Sequence, residues 1–151
     1  MQYIAKARRQ DSANEAVVIH CSDHRFQQGF REFLSEGLGL GSYALLAIPG
    51  GGHFSSMGDL LPKFAKVGMQ SLKFLVRRSG ANRIVLVAHD DCLYFKEILQ
   101  FFFTEPDLHG KQLTNLRRAR RVLLEWFPRA RVELYFAGAD STGELLFVSV
   151  E

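Results

Sequence analysis

The sequence predicts a single α/β domain: a mostly parallel central sheet, helices on both faces and an antiparallel pair of strands at its C-terminal edge. Three observations predict it. Short β-branched runs alternate with longer stretches of helical periodicity through most of the chain. The last two strand patterns are instead separated by a turn short enough for a hairpin. The length of 151 residues fits one domain, and 47% hydrophobic with 23% charged residues is ordinary globular usage.

Residues 1–15 read as an N-terminal arm, and 16–151 as the domain. Ala16 to His20 (Ala-Val-Val-Ile-His) is an uninterrupted buried-strand pattern. Phe26 to Leu38 reads as a helix with Phe26, Phe30, Phe33 and Leu34 on one face and Gly37 and Gly39 at its end. Tyr43 to Ile48 is a second strand, stopped by Pro49 and three glycines. Asp59 to Arg78 reads as a long helix, with Pro62 tolerated in its first turn and Gly80 capping its end. Arg83 to Ala88 is the third strand. Tyr94 to Phe103 reads as a helix followed by a turn at Pro106, and Gly110 to Phe127 as a helix stopped by Pro128. Arg131 to Phe136 and Glu144 to Val150 are the last strands, joined through Asp140 to Gly143.

The formal charge of +3 owes much to Arg117, Arg118, Arg120 and Arg121. Leu113, Leu116, Leu123 and Phe127 supply a matching apolar face, and no aromatic residue interleaves with the arginines, so they read as the solvated side of a helix. No nucleic-acid partner is expected. No run approaches the roughly 18 apolar residues of a membrane span, and no leader pattern is visible. The chain therefore reads as cytoplasmic, a compartment where two distant cysteines stay reduced.

Three segments, each directly after a strand, carry the chemistry. They are Cys21-Ser22-Asp23-His24-Arg25, Pro49-Gly50-Gly51-Gly52-His53 and His89-Asp90-Asp91-Cys92. Parallel strands put all three on one edge of the sheet, where open α/β folds bind ligands. His89 and Cys92, two residues apart, can turn toward one point, and Cys21 can add a third ligand from a neighbouring strand. Two thiolates and an imidazole suit zinc, and three protein ligands leave a fourth position open. The competing reading makes Cys21 and Cys92 small buried hydrophobes and His89 a core histidine. The triple glycine has the look of a phosphate loop but lacks its Lys-Ser/Thr ending and spacing.

Cys21-x-Asp23-x-Arg25 followed by His89-x-x-Cys92 resembles the β-class carbonic anhydrases, and the order of strands and helices is similar from about Ala16 onward. The resemblance implies that Cys21, His89 and Cys92 hold Zn2+ and that Asp23 and Arg25 form a catalytic dyad. It implies a lyase, carbonate dehydratase-like, in which zinc-bound hydroxide attacks carbon dioxide to give bicarbonate. Two thiolates weaken zinc as a Lewis acid, so Asp23 would orient the bound water while Arg25 keeps Asp23 ionised. The resemblance further implies that Asp23 can itself take the fourth zinc position and close the site. It places Gly50, Gly51, Gly52 and His53 against the pocket, with His24 as a further pocket candidate. Leu93 stands where the family carries glycine, which predicts a reshaped pocket, and His24 replaces a small residue. Two other readings share the fold and metal: hydrolysis of carbonyl sulfide or carbon disulfide, and a non-catalytic zinc-binding or regulatory protein. The Phe101-Phe102-Phe103 run is expected to need cover beyond its own helix, and a homodimer or dimer-based oligomer is expected. His20 reads as structural, and His109 as a turn residue.

Overall fold

A computed structural model describes residues 1–9, 11–102 and 107–151, with side chains left out at 99–102. The side chains of the Phe101-Phe102-Phe103 run and the Pro106 turn therefore lie outside the described residues. Five strands form one sheet in the order β2-β1-β3-β4-β5. They are β1 (Ala16–Cys21), β2 (Tyr43–Ile48), β3 (Arg83–His89), β4 (Arg131–Ala139) and β5 (Leu145–Ser149). The first four are parallel and β5 runs antiparallel to β4, as the sequence predicts.

Continuous apolar runs make β1 and β3 the centre of the sheet. A strand covered on both faces has no polar side to present, and β1 is buried at every position. One face carries Val17, Ile19, Ile84, Leu86, Val132 and Leu134, with Leu72 of α2 (Pro62–Ser79) and Leu116, Ala119 and Leu123 of α4 (Leu108–Trp126) packed on them. The other face carries Val18, Val85 and Val87 under Phe26, Phe30 and Leu34. Each such buried aliphatic side chain contributes about 1.5–3 kcal/mol by leaving water. Arg117, Arg118, Arg120 and Arg121 are exposed on the far side of α4.

Helix boundaries follow local chemistry. Pro62 occupies the start of α2, where its missing N–H costs nothing, so the helix begins three residues later than the periodicity suggests. Gly80, at φ 67°, ends it with its amide donating to the Val76 carbonyl at 3.1 Å. Asp107 caps α4 by accepting from the Gly110 amide at 2.8 Å, which brings His109 into the first turn rather than a loop. The segment expected as one helix from Phe26 is three pieces: a 3-10 turn at His24–Phe26, α1 (Gln27–Glu32), and a π-turn at Phe33–Gly37. The wider turn lets the Leu38 amide reach the Phe33 carbonyl before Gly39, at φ 64°, reverses the chain. At the hairpin, the Asp140 carboxylate accepts from the amides of Thr142 and Glu144 at 2.8 and 2.9 Å.

Strand order positions the site. From β1 the chain crosses to β2 on one side, then returns past β1 to β3 on the other. Their C-terminal ends therefore open a crevice between β1 and β3, walled by the loop after β2. Cys21 is the last residue of β1 and His89 the last of β3.

Candidate metal centre

Cys21, His89 and Cys92 meet in that crevice, all three buried, with their ligand atoms within 4.8 Å of one another. Cys92 immediately precedes α3 (Leu93–Phe102), whose buried Phe95 shares a small apolar cluster with the two cysteines. The sulfurs are 3.9 Å apart. Two sulfurs on one tetrahedral zinc, each at about 2.3 Å, would lie about 3.8 Å apart. His89 Nδ1 lies 2.7 Å from the Asp90 carbonyl, which can only accept, so Nδ1 carries the proton and Nε2 presents its lone pair. Nε2 is buried with no hydrogen-bond partner among the described residues. A bare, buried lone pair beside two sulfurs is what a metal ligand set looks like, and the residues fit a zinc ion.

Contact with Cys92 pulls the Cys21 thiol down to about 4, against the opposing effect of burial. The same contact, with burial, pushes Cys92 up, so the two thiols titrate as one coupled pair. The Gly50 amide, donating to Cys21 Sγ at 3.3 Å, stabilises the thiolate there.

The loop after β2 is a 3-10 helix, Gly51–Ser55, which the glycines conceal in sequence. Gly51 sits at φ 55°, and a Cβ there would lie 2.9 Å from the Cys21 amide nitrogen and 3.0 Å from the His20 carbonyl carbon. Only glycine lets this backbone press on the strand end that carries Cys21. A Cβ on Gly50 would meet the Tyr94 ring at 2.6 Å, and one on Gly52 the Leu86 side chain at 2.6 Å.

Asp23 and Arg25 form a two-pronged ion pair. Arg25 Nε donates to Asp23 Oδ1 at 3.1 Å and Nη2 to Oδ2 at 2.7 Å, while the Arg25 amide also reaches Oδ1 at 3.0 Å. The hydrogen bond from the Arg25 side chain holds the Asp23 carboxyl down to about 2, and burial opposes it weakly. Asp23's side chain is only 7% exposed and Arg25's 36%, so the carboxylate is the more sheltered member of the pair.

Other candidates land differently. His53 does not line an open crevice. It is fully buried against Phe95, ring centroids 4.5 Å apart, with neither ring nitrogen bonded among the described residues. Burial, then the nearby His89, lowers its pKa to about 4. His24 is 94% exposed and points to solvent. Leu93 is 55% exposed at the start of α3, so its bulk does not reshape the crevice. His20 is buried, donating from Nδ1 to the Cys21 carbonyl at 2.9 Å and packing on Phe30. Asp90 accepts from the Ala139 amide at 3.0 Å and ties the third loop to β4.

Two glutamines escaped the sequence reading. Gln27 Nε2 donates to the carbonyls of Cys21 and Asp23 at 2.9 and 2.8 Å, and Gln112 Nε2 to that of His89 at 2.9 Å. Gln112 occupies the position where the Leu116, Ala119 and Leu123 stripe calls for an apolar residue. A buried polar residue in such a stripe is the signal that could have found it. Beside Cys92, a cavity of about 120 Å3 is lined by Asp91, Phe95, Lys96, Leu108, His109 and Gln112, with room for a handful of water-sized molecules. A wider groove of about 460 Å3 lies on the arginine-rich face of α4 and touches none of these residues.

Among solved structures, the chain is similar to the β-carbonic anhydrase CafA of Aspergillus fumigatus. The two share 15% identity over 92% of this chain and 77% of that one, with a TM-score of 0.56. This is the β-carbonic anhydrase fold. Two further β-carbonic anhydrases match less closely in shape. Isoform I from Trichomonas vaginalis is 14% identical over 100% of this chain and 89% of its own, TM-score 0.47. One of two tetrameric enzymes from Sordaria macrospora is 17% identical over 90% and 81%, TM-score 0.45. No protein-family model matches the sequence, and no curated protein matches it significantly. The β-carbonic anhydrase likeness is thus one of fold, with the Cys-His-Cys group at the strand ends.

Proposed function

We propose that the chain catalyses zinc-dependent, reversible hydration of carbon dioxide to bicarbonate. The observation that carries this reading is the convergence of Cys21, Cys92 and the bare Nε2 of His89 beside a carboxylate gripped at both oxygens by Arg25. Zinc held there would supply Lewis acidity and an acidified water. Two thiolates offset the charge of such an ion, which leaves more of the proton chemistry to neighbouring groups.

Asp23 is suited to that work. Held near pKa 2 by Arg25, it is ionised at neutral pH and can accept a hydrogen bond without competing for the proton. Arg25 fixes the carboxylate plane and never serves as a base itself. Gln27 and Gln112 hold the carbonyls of Cys21 and His89, so the ligand-bearing strand ends have little freedom to drift. Cys21, His89 and Cys92 are each 4% exposed or less, which restricts access to small molecules and keeps bulk water out.

We include self-pairing in the proposal. Val67 and Phe74, two turns apart on α2, are 62% and 53% exposed. These side chains leave an apolar surface that a second copy would cover.

The test is stopped-flow hydration of carbon dioxide by zinc-loaded wild type and Asp23→Asn, with zinc content measured on both. The proposal expects clear wild-type turnover, a loss of about 100-fold or more in the variant, and unchanged zinc. Zinc-loaded wild type that hydrates no carbon dioxide overturns it. Turnover of carbonyl sulfide alone would move the substrate while keeping the site.

A further inference from the structure

Arg25 does more than hold Asp23. Its Nη1 donates to Asp91 Oδ2 at 2.7 Å and its Nη2 to the Asp91 carbonyl at 2.9 Å. With Nε and the other Nη2 proton on Asp23, four of the five guanidinium protons are committed. One side chain therefore ties the loop after β1, which starts at Cys21, to the loop after β3, which runs from His89 to Cys92.

Asp91 is shaped for this. At φ 49° it is the only non-glycine residue with positive φ among the described residues. Aspartate is among the few side chains that tolerate that region. The left-handed turn brings both the carbonyl and the carboxylate of Asp91 onto the same guanidinium. Lys96, within the first turns of α3, pairs with the second carboxylate oxygen. The carboxylate is thus held from two sides, by a helix and by the dyad arginine.

We propose that Asp91 is a positioning residue that shares Arg25 with Asp23, so that the dyad operates as a three-residue clamp across the two metal-ligand loops. The clamp fixes two things at once. It locks the guanidinium in a single orientation, which aims the Asp23 carboxylate. It also sets how closely Cys21 approaches Cys92, because the loops carrying them are fastened two residues beyond Asp23 and one residue before Cys92. Its kinetic part rests on the hydration reading; its metal-binding part does not.

A double-mutant cycle tests it, with full-length wild type, Asp91→Asn, Arg25→Ala and the double variant. Asparagine keeps the size and the tolerance of positive φ while removing the charge. Each protein is assayed for zinc affinity by chelator competition, for the cobalt(II) thiolate spectrum, and for kcat and KM. Asp91→Asn is expected to weaken zinc binding or kcat by about tenfold with KM unchanged. In the Arg25→Ala background the same change is expected to have no further effect. Equal losses in both backgrounds, or none in either, overturn the proposal by showing Asp91 to be a turn residue only. Should Asp91→Asn fail to fold, Asp91→Gly, which suits the turn better, takes its place in the cycle with the same outcomes. If wild type binds zinc but does not hydrate carbon dioxide, the hydration reading falls and the zinc-affinity coupling alone decides the clamp.

Discussion

Replacing His53 by leucine removes a buried base, and its signature should be a change in how stability depends on pH. In the folded chain His53 is 2% exposed and its pKa lies at about 4, lowered from 6.5 first by burial and then by His89. The unfolded chain binds the proton more readily, so stability is intact above about pH 6.5 and is lost as pH falls toward 4. The interval between 6.5 and about 4, at about 1.4 kcal/mol per tenfold, corresponds to about 3 kcal/mol in full. Between pH 7 and pH 5 the part lost is about 2 kcal/mol. The assay is urea denaturation of zinc-loaded wild type and His53→Leu at both pH values. Acid weakening of the metal site affects both chains and cancels in the difference. Leucine is close in volume and leaves no unsatisfied nitrogen in the core, so the variant is expected to gain about 2 kcal/mol on wild type over this interval. A constant difference would show that His53 titrates alike in the folded and unfolded chain. That would refute its burial without a partner.

Two further predictions follow from the surrounding structure. Gly51→Ala should destabilise the fold by about 2–4 kcal/mol and weaken metal binding, because positive φ and a clash with the Cys21 backbone act together; thermal unfolding and chelator competition check both. Glu133, 11% exposed on β4, accepts from Arg83 and Tyr135 and forms an ion pair with Arg131. Burial opposes its ionisation, yet these partners win and hold its pKa below 4.5. Its contribution is therefore present above about pH 4.5 and lost as pH falls through the lower folded value. Glu133→Gln should cost about 1–3 kcal/mol at pH 7 and progressively less in acid, as read by denaturant titration.

Much of the fold was legible because its signals are local and redundant. The runs in β1 and β3 are apolar at nearly every position, which only a strand covered on both faces explains. Parallel order then brought Cys21, Gly50 and His89 to one edge without any knowledge of packing. What stayed hidden depends on geometry that residue types do not encode. The π-turn after Glu32 and the 3-10 helix from Gly51 look like plain helix and plain loop in sequence. His53 followed the glycines and so suggested the crevice wall, but the 3-10 turn carries it inward to Phe95. The sharing of Arg25 by Asp23 and Asp91 depends on a single left-handed φ at Asp91, which no spacing rule reveals. Gln27 and Gln112 act on carbonyls, the part of the chain that side-chain motifs ignore.

The central claim is that Cys21, His89 and Cys92 form a zinc centre, and metal content measures it most directly. Protein purified under reducing conditions is analysed for bound elements alongside His89→Ala and Cys92→Ser. The account predicts about one zinc per wild-type chain, retained through dialysis and lost in both variants. Wild type that takes up no zinc with its thiols reduced, or variants that keep it, would contradict the account.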